Sequence, residues 1–211
     1  MIYELRTYTM KPGMAATAAN HSAEVGRDVR GDDYGKLEGY WVTEIGPLNQ
    51  VMHLWSFADM EERARLKAEL AQNERWNTEY LPKMRPMLVR QDNRILNGII
   101  GPTPPESEGN VYEFRAYRLV PGGLKGWRAA FEEALPVRER HSKIVGLWSS
   151  EAGQPNEVCH IWAYPSLDGR AAVREAVGAD PDWHTFLDKA LPLIEEMHST
   201  IMVPAKHSPL K

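Results

Sequence analysis

Cysteine is all but absent: Cys159 is the sole one among 211 residues. That excludes an intrachain disulfide and a thiolate zinc cluster. Positive charge is not in excess either, because 25 Lys and Arg stand against 29 Asp and Glu for a net charge of −4. General attraction to nucleic acid or to an anionic membrane surface is therefore not expected. No apolar run approaches the roughly 18 residues of a membrane span. Neither Gly-x-Ser-x-Gly nor a Gly-rich loop ending in Lys-Ser/Thr occurs, and no His-Glu-x-x-His or His-x-His pattern points to a metal. Met1 to Arg6 alternate like a strand and leave no room for a signal or transit peptide, so a cytoplasmic location is expected. What remains, at 43% apolar and 26% charged residues, is a globular chain of one large or two small domains.

The chain repeats itself. Tyr3-Glu4-Leu5-Arg6-Thr7-Tyr8 followed by Pro12-Gly13 returns 109 residues later as Tyr112-Glu113-Phe114-Arg115-Ala116-Tyr117 followed by Pro121-Gly122. Gly39, Trp41, Glu44, Gly46, Asn49, Val51, His53 and Trp55 return at an offset of 107 as Gly146, Trp148, Glu151, Gly153, Asn156, Val158, His160 and Trp162. Arg63 and Trp76 recur at the same offset as Arg170 and Trp183. The second copy is thus two residues shorter between its first strand and Gly146. Between the copies, Pro and Gly crowd residues 101–110, which reads as a linker joining repeats 1–100 and 111–211.

Within the first copy, Ile2–Tyr8 alternates as a strand and an Ala-rich stretch up to about Arg30 reads as a helix. Leu37–Thr43 and Gln50–Phe57 carry the aromatic and β-branched residues of strands. Asp59 with Glu62 begins a capped polar helix over Glu61–Gln72. A short helical piece, Glu74–Arg85, and a closing strand, Arg94–Ile100, complete the unit. Copy two repeats the order, with Ser166 and Asp180-Pro181 as helix starts. Strand, helix, strand, strand, helix, strand is the ferredoxin-like α+β arrangement.

Alternation divides each strand between two faces. One set is apolar: Tyr3, Leu5, Met52 and Leu54, with Tyr112, Phe114, Cys159 and Ile161 in copy two. The other holds Glu4, Arg6, Tyr8, His53, Trp55 and Phe57, with Glu113, Arg115, Tyr117, His160, Trp162 and Tyr164. The apolar set suits packing under helices. The second set, too aromatic to lie bare, is expected to point inward, the two repeats closing on each other as a pseudo-dimeric α+β barrel. Burying its charges unpaired costs several kcal/mol, so the interior must be a salt-bridged core, a wet cavity or a ligand site.

The string from Glu44-Ile45-Gly46-Pro47-Leu48-Asn49 through Gln50-Val51-Met52-His53-Leu54-Trp55-Ser56-Phe57, downstream of Tyr3–Tyr8 and Pro12-Gly13, closely resembles the NIPSNAP family. Copy two departs in the turn, with Gly153-Gln154-Pro155-Asn156 in place of Gly46-Pro47-Leu48-Asn49. The resemblance implies the dimeric α+β barrel superfamily, which includes cofactor-free monooxygenases, haem-degrading enzymes, muconolactone isomerases and chlorite-dismutase-like proteins. It supplies no settled chemistry for this family. Eukaryotic members are linked to mitochondria and to vesicle or mitophagy signalling.

His53 and His160 are the candidate catalytic residues, as proton-transfer groups near neutrality, against a bland role as core histidines. Arg6 and Arg115 are candidates for clamping a carboxylate or enolate, helped by Tyr8 and Tyr117; alternatively each Arg pairs with Glu4 or Glu113 on its own strand face. Trp55 and Trp162 could stack on an aromatic substrate, and Asn49 and Asn156 could touch a ligand or merely complete a turn. Trp41, Trp148, Trp76 and Trp183 are expected to anchor helices on the sheet, and Arg63 and Arg170 to pin theirs to its edge. The reading that results is a small acidic or aromatic molecule bound inside the barrel, without cofactor or metal. It would be transformed by proton transfer or cofactor-free oxygenation, as in an isomerase, lyase or monooxygenase. A non-catalytic binding or adaptor protein with a structural polar core is the alternative, and a haem-binding or haem-degrading enzyme the third. Partners are a small-molecule ligand and a second copy of the chain, not nucleic acid.

Overall fold

The computed structural model describes residues 1–211. The first repeat runs β1 (Ile2–Met10), α1 (Ala15–His21), a π turn (Ser22–Gly26), α2 (Arg27–Arg30), β2 (Lys36–Ile45), β3 (Gln50–Phe57) and α3 (Met60–Gln72). A second π turn (Trp76–Tyr80), α4 (Leu81–Met84) and β4 (Leu88–Ile100) complete it. The second repeat comprises β5 (Val111–Leu119), α5 (Leu124–Glu139), β6 (Ile144–Ala152), β7 (Glu157–Tyr164), α6 (Leu167–Ala179), α7 (Pro181–Ala190) and β8 (Ile194–Pro204). Local signals decide the helix starts. Asp59 caps α3 by accepting the Glu62 N–H at 2.9 Å, while Glu62 reaches back to the Ala58 N–H at 2.6 Å, a variant of the capping box. Ser166 caps α6 and Asp180 caps α7, where Pro181 takes the first helical position.

All eight strands close into one antiparallel barrel in the order β1-β3-β2-β8-β5-β7-β6-β4. Each repeat contributes four neighbouring strands, and the seams are β2 against β8 and β4 against β6. The pseudo-dimeric α+β barrel expected from the repeat is therefore the fold.

The two strand faces are the reverse of the expectation. Tyr3, Leu5, Met52 and Leu54 join Tyr112, Phe114, Cys159 and Ile161 in one buried apolar cluster that draws on both repeats. That cluster packs inside the barrel, and at one end Met52, Phe114 and Ala116 also line an open cavity of about 610 Å³ with Thr7, Gln50 and Arg94. Glu4, Arg6, His53 and Trp55, with their copies, face outward beneath the helices: Glu4 meets Arg63 of α3, and Trp55 meets Arg30 of α2. Alternation tells which residues share a face, not which neighbour covers it. Here both faces are buried for most of their length, and the barrel interior takes the apolar set, with charges confined to paired groups such as Glu157 with Arg94.

The barrel tryptophans follow suit. Trp41 and Trp148 do not anchor helices; they lie in the interior, Trp41 against Tyr112 and Trp148 against Tyr3 across the repeats. Each folds back over the glycine two residues before it, Gly39 or Gly146, leaving no room there for a Cβ. Trp76 and Trp183 do stay with the helices, stacked on Tyr80 and tilted against Phe186.

Candidate functional site

The outer face of the first repeat is organised by register. Arg6 on β1 lies opposite His53 on β3, and Glu4 lies opposite Trp55. Glu4 is fully buried and takes Arg6 Nη2 at 2.6 Å on one oxygen and Arg63 Nη2 on the other. Burial alone would raise its carboxyl, but the two guanidiniums outweigh that and hold it below the usual range. Arg63 thus pins α3 to the sheet face, not to an edge. Above Trp55, 3.4 Å from the ring centroid, sits the Arg30 guanidinium. Arg30 is 4% exposed, donates to the Tyr34 carbonyl at 2.7 Å and leaves its buried Nε without a partner. No carboxylate pairs with it, and burial together with the nearby Arg6 charge pushes its pKa down to about 9.

His53 is fixed by its neighbours. The Trp55 indole N–H donates to His53 Nδ1 at 2.6 Å, so Nδ1 carries no proton and the neutral ring carries it on Nε2. Nε2 is buried and unpartnered. Burial, with Arg6 and Arg30 adding to it, holds the imidazole pKa well below its ordinary value. With Nδ1 taken up by the indole, His53 is set to act through Nε2 and not through Nδ1. Nor is it a metal ligand as set: a ligating imidazole donates from its second nitrogen, whereas here that nitrogen accepts. No group of three or more His, Cys, Asp or Glu is placed to hold a metal ion.

Beside His53, Tyr40 stacks on the ring at 4.9 Å and Ser22 Oγ bonds both Tyr40 and Tyr80 hydroxyls, at 3.1 and 3.0 Å. Three hydroxyl protons serve two internal bonds, leaving one to donate outward. These groups line a cavity of about 210 Å³ between sheet and helices, together with Arg6, Tyr8, Trp55, Trp76 and Arg85. Its last wall comes from the far end of the chain. His207 lies 4.5 Å from Tyr40, ring to ring, and the tail is held by Ser208 Oγ accepting the Tyr40 N–H at 2.9 Å. His207 Nδ1 is buried without a partner, and burial followed by Arg27 lowers its pKa to about 4.

The second repeat keeps the frame and loses the cavity floor. Arg138 lies 4.0 Å over Trp162, and the Trp162 indole donates to His160 Nδ1 at 2.6 Å. Glu113 is bound by Arg170 at 2.7 Å and by the Ser199 hydroxyl at 2.6 Å. Those bonds and Arg115 overcome burial and lower its pKa to about 2. Where the first repeat has Ala18, Ser22 and Tyr40, the second has Trp127, Phe131 and Leu147. Trp127 and Phe131 close on His160 at 6.3 and 6.1 Å between ring centroids.

The helices explain the difference. The offset between copies is 109 at Ser22 and Phe131 but 108 at Arg30 and Arg138, so one extra residue falls in the first π turn. It is 107 at Trp76 and Trp183 but 106 at Pro86 and Pro192, which brackets the second. Both π turns of the first repeat are single-residue insertions, both are replaced by regular helix in the second, and both border the cavity. π turns of this kind gather at functional sites.

Of the residues singled out from sequence, Arg6, Tyr8, His53 and Trp55 share the first cavity. Glu4 lies behind it as the anchor of Arg6 and Arg63. Glu113 is the matching anchor in repeat two, Arg115 and Tyr117 line a separate cavity there, and Trp162 lies under Arg138. His160 is walled in by Trp127 and Phe131. Asn49 and Asn156 hold the left-handed turn conformation at φ 55° and 57°, and Asn49 accepts the Gly13 N–H at 2.8 Å. Neither asparagine lines the two cavities under the helices, and the turn reading is the one their geometry carries. Sequence reasoning missed Ser22, Arg30, Tyr40, Tyr80 and His207. Arg30 and Arg138 were within reach, hidden by the change of offset.

These features define a class: a tandem α+β barrel in which each repeat has a cavity between sheet and helices beside an arginine seated on a tryptophan. The chain belongs to the NIPSNAP family, whose profile matches residues 3–99 and again 112–209. NipSnap homolog 2 of Homo sapiens is 32% identical over 217 residues, covering 100% of this chain and 75% of that protein. NipSnap homolog 1 of Danio rerio is 30% identical over 217 residues, covering 100% and 77%. Among solved structures, a proposed monooxygenase of Fusobacterium nucleatum superposes with a TM-score of 0.71 at 10% identity, covering 100% of this chain and 97% of its own. An anthrone oxidase-like protein does so at 0.66 and 12% identity, covering 98% and 92%. At such identities these two speak for the fold alone. No helix of the chain is long and apolar enough to cross a membrane.

Proposed function

We propose that the first repeat binds a small aromatic carboxylic acid in the cavity under its helices, not inside the barrel. The observation that carries this reading is Arg30: a buried guanidinium, on the cavity wall, with no carboxylate of its own. A buried charge of this kind is costly until an anion joins it. Arg6 adds a second guanidinium, His53 Nε2–H and the spare hydroxyl proton add neutral donors, and Trp55, Tyr40, Trp76 and Tyr80 supply ring-shaped walls. Titration calorimetry with benzoate and with uncharged benzamide tests it. Benzoate binding weakened at least tenfold in Arg30→Met, with benzamide weak throughout, is the expected result. Equal affinity for the two probes, or an unchanged Arg30→Met, overturns it.

A second reading, cofactor-free oxygenation, draws on the Nε2–H donor of His53. A neutral imidazole donor beside two guanidiniums favours a bound phenolate or enolate, the electron-rich form that dioxygen attacks. His207 Nδ1, unpartnered, is the lining nitrogen left to accept a hydrogen bond from the bound phenol, whose proton passes on to solvent because His207 is held neutral. Oxygen uptake with 4-hydroxybenzoate, abolished in His207→Gln, is its test.

A further inference from the structure

The second repeat has a cavity too, and its chemistry differs. It measures about 220 Å³ and lies among β5, α5, α6, α7 and β8. At one side stand Arg115, Arg138 and Arg174. Arg138 is 5% exposed and bonds only neutral groups, the Ser142 hydroxyl at 2.6 Å and the Tyr164 hydroxyl at 3.2 Å. Arg174 makes no ion pair, and no carboxylate lines the cavity. The rest of the wall is aliphatic and aromatic, including Leu187, Leu191 and Met197.

The mouths of the two cavities are chemical opposites. Leu191 and Met197 stand half in solvent, 50% and 48% exposed, at the positions where the first repeat has Arg85 and Gln91. Large apolar side chains exposed beside a cavity mark a surface waiting for an apolar occupant. In the first repeat an acid meets hydroxyls below and polar groups at the mouth. In the second it meets no hydroxyl cluster, an arginine group at one side and an apolar rim.

We infer that the second repeat is a separate site for an aliphatic carboxylate, its head on Arg138 with Arg115 and Arg174 and its chain leaving over Leu191 and Met197. This rests on the same principle as the first site, a buried arginine on an indole with no carboxylate paired to it, but on different residues and a different ligand. Duplication has then produced two anion sites of distinct selectivity in one barrel.

Decanoate below its micelle concentration, its neutral analogue decanol, and benzoate are titrated calorimetrically against the native chain and the variants Arg30→Met, Arg138→Met and Met197→Glu. Decanoate is expected to bind one per chain, at least tenfold more tightly than decanol. Arg138→Met and Met197→Glu should each weaken it tenfold or more, and Arg30→Met should leave it unchanged. Met197 is at the surface, so its variant keeps the fold if Arg138→Met does not. Decanoate lost in Arg30→Met but not in the repeat-two variants would place the chain acid in the first cavity and overturn the inference. Equal binding of decanol, or no decanoate binding to the native chain, overturns it as well. Loss of benzoate binding alone sinks only the first site.

Discussion

The Arg30 guanidinium and the Trp55 indole are stacked 3.4 Å apart, and nothing negative completes the pair. The ring face contributes roughly 1 kcal/mol or more of cation–π attraction when desolvated. That falls short of the several kcal/mol that a buried ion costs. Stability has been given up at one position, and a ligand is what would recover it.

Arg30→Met should therefore separate stability from binding. Methionine keeps the volume and the contact with the indole while removing the charge. The unliganded variant is expected to be as stable as the native chain or more so by about 1 kcal/mol. Thermal melting without ligand checks it: a lower Tm would mean that Arg30 is satisfied in a way the geometry does not reveal.

Stability should fall in two stages as the solution is acidified. His53 and His207 have folded pKa values below their unfolded ones, so the unfolded chain takes up protons first. Their contribution is present above about pH 6.5 and is lost as the pH falls toward the folded value, about 4 for His207. Glu113 follows the same sign in a lower window. Its stabilisation is present above the unfolded carboxyl pKa of 4.5 and is lost as the pH drops through its folded value of about 2. Denaturant unfolding between pH 8 and 2 should show both slopes. His207→Gln should flatten the upper one and leave the lower.

Gly39→Ala tests the inverted faces. A methyl at Gly39 would run into the Trp41 indole inside the barrel, and Gly146 stands in the same relation to Trp148. Forcing a carbon into a filled core costs about 1–3 kcal/mol. Gly178 in α6 has open space around it, so Gly178→Ala should gain about 0.5–1 kcal/mol from helix propensity. Chemical denaturation of the two variants gives the order. A neutral Gly39→Ala would mean that Trp41 does not pack as described.

The repeat, the strand order and the barrel were all legible because Tyr3–Tyr8 and Gly39–Trp55 reappear with their spacing intact. Which face turned inward was not. Tyr3 and Glu4 alternate the same way whether the helices or the other sheet cover them, and a residue such as Arg63, far along the chain, decides which side can satisfy Glu4. The first cavity was half legible: His53 and Arg6 stand on strands with clean period two, whereas Arg30, Tyr80 and His207 arrive through helix geometry and a chain tail that no local pattern encodes. The shorter second copy was visible as a count of residues. What it meant lay in the turn of a helix.

That count leads to the sharpest test. In an α-helix each residue advances about 100°, so the 12 steps from Ala18 to Arg30 would leave the two about 120° apart, whereas 11 steps would leave about 20°. The π turn at Ser22–Gly26 absorbs the extra residue, letting Ala18 and Arg30 both face the sheet. In α5 the corresponding residues, Trp127 and Arg138, are 11 apart and need no such turn. Deleting the exposed Glu24 should convert the segment to regular helix and keep the fold, with Arg30 still over Trp55. What changes is the backbone between Ser22 and Gly26, which closes by one residue and moves Gly26 against the Tyr80 ring at the cavity floor. The deletion variant is expected to melt within a few degrees of the native chain and to bind benzoate about tenfold more weakly. Undiminished binding would make the π turn a tolerated insertion with no part in the site.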